Sequence, residues 1–335
     1  MNVMGSQFSD QPRPVPIMGA ILGASAAMQE VFRLIERVGP TEASVLLTGE
    51  SGSGKELAAQ CIHACSTRRD GPFVAINCGA IPAGLIEAEL FGHERGSFTG
   101  AVRAHAGVFE RAQGGTLLLD EVTEMPVGLQ TTRLLRVLES RKFYRVGASV
   151  ELTADVRVIA ATNRCPLQAV HDGQLREDLL YRLAVFPINL PPLRKRGDDI
   201  DLLAAHFLAE LNARAGTRKR LSALARMTLK QHSWPGNVRE LKNCIERAFI
   251  LGDESLELAP LIQNSPRDLP GEGGPERLDI RVGSRIDDME RSLIEATLDH
   301  FQGNKRRAAD ALGCSLKTLY NKLNGYSQSP ECANS

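Results

Sequence analysis

The segment Gly49-Glu50-Ser51-Gly52-Ser53-Gly54-Lys55-Glu56 constrains this chain more than any other. It fits the pattern G-x-x-x-x-G-K-[ST] at every position but the last, where Glu56 stands in place of a magnesium-binding hydroxyl. The apolar run 44–47 predicts a buried parallel strand before it, and 56–64 predicts a helix after it. Strand, glycine-rich turn and helix make a cradle in which backbone N–H groups and a helix N-terminus face phosphate oxygens. Lys55 adds a cation near the outer phosphates. The expected ligand is therefore a nucleotide's phosphate chain, held by Gly49, Glu50, Ser51, Gly52, Ser53, Gly54, Lys55 and Glu56.

A second strand, 116–119, is apolar throughout and runs into Asp120-Glu121. Such a strand is buried on both faces and delivers its acids at its carboxyl end. Asp120 is expected to hold a hydrated Mg2+ and Glu121 to orient and polarise an attacking water. Coming after a phosphate loop, the pair makes nucleotide hydrolysis the leading reading.

Apolar strands at 44–47, 73–77, 116–119, 156–161 and 186–190 alternate with helical patterns at 28–38, 56–64, 85–91 and 129–140. That alternation predicts an α/β fold, a mostly parallel sheet covered by helices on both faces and carrying the phosphate loop, over residues 17–191. Pro191-Pro192 marks a joint, and 192–255 reads as a purely helical lid, with helices near 200–214, 222–232 and 238–251. Residues 1–16 read as a disordered leader, 256–285 as a linker rich in glycine and proline, and 327–335 as a tail. The chain of 335 residues has no net formal charge, so contact with nucleic acid must come from a local patch. No apolar run approaches the roughly eighteen residues of a membrane helix and the start lacks a signal-peptide core, so a cytoplasmic protein without membrane contact is expected. Seven cysteines lie scattered; Cys61 and Cys65, four apart on one helix, read as buried reduced thiols.

Such a patch occurs at 286–326. An amphipathic helix over 287–301 precedes two short helices that meet at Gly313. Ser315 is placed to cap the last of them, with Leu316, Leu319 and Leu323 facing inward. This is the helix-turn-helix arrangement, and a helical hairpin with a solvated charged face is its alternative. Between Lys305 and Lys322 there are five Lys or Arg against one Asp. Lys305, Arg306, Arg307, Lys317, Thr318, Asn321 and Lys322 are the candidates to contact double-stranded DNA.

The phosphate loop with Glu56 after its lysine, and Gly96-Ser97-Phe98-Thr99-Gly100-Ala101 flanked by Glu89-Leu90-Phe91-Gly92-His93-Glu94, resemble the central domain of sigma-54-dependent bacterial enhancer-binding proteins. These are ring-forming AAA+ ATPases that activate transcription; the resemblance covers 17–255, and the tail resembles their Fis-like DNA-binding domain. It implies that residues 96–101 contact the sigma factor, with Ser97 where the family has alanine. It implies that Asn77 restrains the catalytic glutamate, that Thr162-Asn163 is the nucleotide-sensing segment, and that Arg239 is the lid's sensing arginine. Arg176 and Arg182 match the candidate arginine fingers that reach a neighbouring subunit's γ-phosphate.

The resemblance further implies a homo-oligomer, a hexameric ring, acting on sigma-54 RNA polymerase from DNA upstream of promoters. The ATPase pattern starts close to Met1, so the family's N-terminal regulatory domain is expected to be lacking. Control would then fall to expression level or to a homologous or inhibitory regulatory protein. Two rivals stay open: a regulator that only binds nucleotide, and an unfoldase for other clients. Intact Lys55, Asp120, Glu121 and Arg176 argue against the first; the 96–101 loop and the helix-turn-helix argue against the second. In the loop itself, glycines at both ends allow hinge motion, and Phe98 reads as an exposed aromatic.

Overall fold

The computed structural model describes residues 17–18, 21–98, 100–258, 286–301 and 304–327. The expected leader at 1–16, most of the expected linker, Thr99 and the end of the tail lie outside them. The chain divides into two compact units, Met1–Ser265 and Pro266–Ser335.

The first unit is built on five parallel strands: β1 (Val45–Thr48), β2 (Phe73–Asn77), β3 (Thr116–Asp120), β4 (Arg157–Thr162) and β5 (Phe186–Asn189). Their order across the sheet is β2-β3-β4-β1-β5, and every pairing is parallel. Alternate residues serve opposite layers, as the two-residue period of a strand requires. Leu117 and Leu119 pack into one core with Phe91, Phe109 and Leu179; Leu118 packs into the other with Ile35, Ile62 and Ile188. Both faces are thus covered, which is why these strands read as unbroken apolar runs.

Helix α1 (Ala26–Val38) opens on Ser25, whose Oγ accepts from Met28 N, and α2 (Lys55–Ala64) begins directly at the loop lysine. Arg157, only 1% exposed at the start of β4, donates to Val38 O and Gly39 O. A cation is thereby buried against the carbonyl end of α1, where the helix dipole favours it.

The region expected as one helix at 129–140 is interrupted. Val127–Leu129 and Leu135–Ser140 are α-helical, but Gln130–Leu134 forms a π segment. Periodicity did not reveal this because a π-bulge keeps the helical side-chain pattern while shifting its register by one residue.

The lid holds α3 (Asp199–Ala215), α4 (Ala223–Gln231) and α5 (Asn237–Leu251) around fully buried Trp234, whose Nε1 donates to Leu229 O at 2.9 Å. It is not purely helical. Arg220–Leu221 pairs in parallel with Ser255–Leu256, a contact two residues long that is too short to leave an alternating pattern.

In the second unit α6 (Ile286–His300), α7 (Lys305–Ala311) and α8 (Leu316–Ser327) enclose a small core of Ile294, Ala308, Ala309 and Leu319. Gly313 adopts φ 66 in the turn, and Ser315 Oγ accepts from Thr318 N at 3.1 Å, the expected cap. Leu319 and partly buried Leu323 face inward, but Leu316 is 41% exposed. It sits in the first turn, at the edge of the apolar arc that Leu319 and Leu323 define, and reaches past the small core.

Candidate functional site

The parallel register brings four strand ends to one edge of the sheet. Thr48 lies opposite Thr162 and Asn77 opposite Asp120, with β4 between β3 and β1. The phosphate loop, Asp120-Glu121 and Thr162-Asn163 therefore share the carboxyl edge, the usual place for a ligand in such a sheet.

The loop's shape needs its glycines. Gly52 has φ 75, and a Cβ there would stand 2.4 Å from Gly236 O; Gly54 has φ 103, with nothing within 4 Å of the same position. The first glycine allows the lid to press against the loop, and the second leaves open the side on which a phosphate would lie. Ser53 Oγ is buried without a hydrogen-bond partner. Lys55, 7% exposed, donates through Nζ to Gly49 O at 2.8 Å. Burial pushes its ammonium pKa down, against the pull of Glu121 and Asp120 and with further lowering from Arg239. A buried cation and an orphaned hydroxyl beside an open glycine turn fit a phosphate chain. Glu56 is exposed in the first turn of α2, where its charge suits the helix dipole.

Glu121 has φ 51 and ψ 49, the left-handed region that a residue with a Cβ rarely adopts. The strain turns the chain sharply at the end of β3 and starts the short 3-10 helix Val122–Glu124. Glu121 N donates to Asp120 Oδ1 at 3.0 Å, and Glu121 Oε2 accepts from Asn163 N at 3.2 Å. The carboxylate is thus aimed by the turn that follows β4. Thr162 Oγ1 shares a 3.0 Å bond with Thr123 Oγ1, locking the ends of β3 and β4 together. Asn77 Oδ1 accepts from Gly79 N and Ala80 N, closing its own turn beside Asp120. Among the described residues no three or more His, Cys, Asp or Glu side chains form a metal cage. A Mg2+ held by Asp120 would take phosphate and water oxygens as its other ligands, a habit of that ion.

The lid closes on the loop from behind. Arg194 Nη1 and Nη2 donate to Glu50 Oε2 and Oε1 at 2.8 and 2.5 Å, a fork-on-fork pair. Arg194 beside Glu50 holds that carboxyl well down, at about 2. Asn237 Nδ2 donates to Glu50 Oε2 and Ser51 O, while its Oδ1 accepts from Leu193 N. Val238 N donates to Gly52 O at 3.0 Å, Arg239 Nη1 to Ser51 Oγ at 3.2 Å, and Arg196 Nη2 to Ser53 O at 2.6 Å. Sequence reasoning found Arg239 but missed Arg194, Arg196 and Asn237. The signal was the basic run Leu193-Arg194-Lys195-Arg196 directly after the proline joint.

Arg176 and Arg182 do not join this cluster. Arg176 pairs with Asp178 at 2.7 Å, and Arg182 Nη2 donates to Leu138 O at 2.7 Å. Fully buried Gln130, inside the π segment, positions the first of them. Its Oε1 accepts from Arg176 N, and its Nε2 donates to Met125 O and Gln174 O. It was also missed, because one Gln among the Thr and Arg residues of an amphipathic pattern reads as part of the solvent face.

The 96–101 loop is tied at its base. Gly96 N donates to Ala101 O at 2.8 Å and Ser97 Oγ to Glu94 O at 2.8 Å. Arg145 bridges Glu94 and Glu110 with bonds of 2.6 to 3.0 Å, which pushes Glu110 down. Phe98 is not the exposed aromatic expected: it is half-buried, edge-on to His93 with ring centroids 5.0 Å apart. A bare aromatic ring in water is costly, and the neighbouring imidazole covers it.

In the second unit Arg306, Lys317, Thr318 and Asn321 are exposed. Lys322 bonds Glu290 of α6 at 2.5 Å, Lys305 lies over the Tyr320 ring at 4.6 Å, and Arg307 lies over Phe301. Of the six described cysteines, all free thiols, Cys61 is buried as expected, as are Cys78 and Cys244; Cys65, also expected buried, is only partly covered, like Cys314, and Cys165 is exposed.

No helix among the described residues is long and apolar enough to cross a membrane. Three family models match: a sigma-54 interaction domain at residues 21–189, an AAA+ ATPase lid domain at 194–267, and a bacterial regulatory protein of the Fis family at 285–326. The chain is 43% identical over 345 residues to the transcriptional regulatory protein FlbD of Caulobacter vibrioides, covering 96% of this chain and 76% of FlbD. It is 41% identical over 333 residues to the DNA-binding transcriptional regulator NtrC of Rhizobium meliloti, covering 90% and 69%. NtrX of Brucella abortus, crystallised in complex with ATP, superposes with a TM-score of 0.67 at 36% identity, covering 92% of this chain and 69% of that one.

Proposed function

This chain belongs to the sigma-54 interaction-domain family of AAA+ transcriptional activators, and from that membership we propose how its parts divide the work. It is a sigma-54-dependent activator with an ATPase domain, a lid and a DNA-binding domain of the Fis type. ATP is the substrate held by residues 49–56, with Arg239 of the lid against the phosphate chain. Glu121 orients water for attack on the γ-phosphorus and takes its proton as the bond to the bridging oxygen breaks. Mg2+ held by Asp120 neutralises phosphate charge when bound.

The chain works as a homo-oligomeric ring, a hexamer. One observation carries this reading: Arg176 and Arg182 are exposed and lie outside their own chain's nucleotide site, so that exchanging their contacts with Asp178 and Leu138 O would bring them to a neighbour's. Each turnover moves the 96–101 loop against the sigma-54 polymerase, while residues 286–326 hold DNA upstream of the promoter. With DNA as its anchor, the protein works in the cytoplasm.

Specific ATPase activity should rise with protein concentration as rings form. Mixing inactive Arg176→Ala with inactive Lys55→Ala should restore part of it, because some interfaces then pair an intact loop with an intact finger. Activity independent of concentration in a protein shown to be monomeric would rule out the trans arrangement.

The DNA reading has a sharper form. Lys317 is exposed on α8, whereas Lys322 is engaged by Glu290. Lys317→Ala should therefore weaken DNA binding and lower the salt slope by about 1, as for one lost phosphate contact, and Lys322→Ala should lower it less. Fluorescence anisotropy across a salt series measures both. A wild-type slope and affinity for Lys317→Ala would remove Lys317 from the DNA-contacting set.

A further inference from the structure

The lid grips the phosphate loop by the atoms that do not face phosphate. A loop of this kind presents its N–H groups to the ligand. Here the opposite set is occupied: Ser51 O accepts from Asn237, Gly52 O from Val238 N, and Ser53 O from Arg196. Beside these carbonyl bonds stands one ion pair to a loop side chain, made by Arg194. This arginine lies in the short 3-10 turn Leu193–Lys195, directly after the proline joint, and it grips both oxygens of Glu50. Asn237 completes the grip in a left-handed conformation, φ 53, that an asparagine tolerates when its side chain is hydrogen-bonded locally, here to Pro235 O at 3.4 Å. It bonds the loop and Leu193 N at once, so hinge, lid helix and loop meet in one side chain.

We propose that Arg194 is a positioning residue of the ATP site. Through Glu50, and together with Asn237, it holds the phosphate loop against the lid and sets how fast nucleotide leaves. The inference rests on the ATPase reading above and adds a regulated step to it. The two side chains of the pair are 43% and 40% exposed, so the contact adds little to the stability of the fold. Its leverage is local. Loop and lid move as one body while it is closed; when it opens, the Glu50 end of the loop loses its charged anchor and the carbonyl bonds from Asn237, Val238 and Arg196 remain. Nucleotide bound to the loop's N–H groups then dissociates from a loop free to change shape. Salt weakens a half-exposed pair, so release is also expected to quicken with ionic strength.

The experiment uses the full chain and N-methylanthraniloyl-ADP, with release followed by stopped flow against excess unlabelled ATP, beside steady-state ATPase kinetics at a concentration that saturates assembly. Arg194→Ala should speed release and raise KM at least fivefold while kcat stays within twofold. Arg194→Lys, which keeps the charge but not the fork, should fall between. Wild type and Arg194→Ala should converge at high salt, a behaviour that loss of folding would not produce. If Arg194→Ala does not fold, Arg194→Gln is read in the same way. Wild-type release and KM in the folded variant, or kcat falling in parallel with a raised KM, would overturn the positioning role and leave the ATPase reading standing. A wild-type chain that neither bound the probe nor hydrolysed ATP would overturn both.

Discussion

Glu121→Gln is expected to lower ATP hydrolysis by 10²–10⁴-fold, the scale for a positioned acid–base group, or roughly 3–5 kcal/mol of barrier. The amide oxygen can still accept from Asn163 N, as Glu121 Oε2 does at 3.2 Å, so the side chain keeps its direction and loses only the capacity to take a proton. Affinity for ATP should stay within a few-fold, because the loop and Lys55 are untouched. The strained backbone adds a second readout. A non-glycine residue at φ 51 costs on the order of 1 kcal/mol or more, and glycine does not incur that cost. Glu121→Gly should therefore match or exceed the wild-type melting temperature while losing hydrolysis. Stability given up for activity's sake would explain why a carboxylate sits there. A Gln variant with wild-type turnover would remove Glu121 from the chemistry, and a large drop in melting temperature for the Gly variant would contradict the strain.

The second large effect is expected at the 96–101 loop. Loss of the Phe98 ring, or Thr99→Ala, should abolish or strongly reduce sigma-54 binding and open-complex formation, with ATP hydrolysis kept within a few-fold. The separation is physical. The hydrolytic groups stand at the ends of β1, β3 and β4, whereas the loop follows the helix Ile86–Phe91 and is tied to Glu94, Arg145 and Glu110. Phe98 must leave His93 before it can meet a partner, since the two rings are 5.0 Å apart. His93→Ala, which removes that cover, should accordingly keep or raise sigma-54 binding, as measured on a trapped ATP-bound form. Ser97→Ala deletes the hydroxyl's bond to Glu94 O, leaves the backbone bond from Ser97 N to the same oxygen at 3.3 Å, and should be neutral or favourable for activation. Promoter opening at the wild-type rate by Thr99→Ala would sink the contact role of the loop.

Much of this protein is determined by short-range pattern. The glycines and lysine of 49–55 and the apolar runs of the five strands are local signals, as are Asp120-Glu121 at a strand end and the capped turn at Gly313. A local signal survives in one dimension because each depends on neighbours three or four residues away, or on a period of two or 3.6. The resemblance at Gly96–Ala101 is of the same kind.

What tertiary structure decided is everything that depends on partners far away in the chain. Glu50 meets Arg194 and Asn237 across 144 and 187 positions, and Gln130 reaches Arg176 across 46. No period or composition encodes those meetings; they follow from the crossing order β2-β3-β4-β1-β5 and from the lid folding back over the hinge. The same holds for burial. Phe98 reads as an exposed ring until His93 is seen beside it, and Leu316 reads as core until Leu319 and Leu323 are seen to fill it. Apolar character states that a side chain gains by being covered; only the packed chain provides, or fails to provide, the cover.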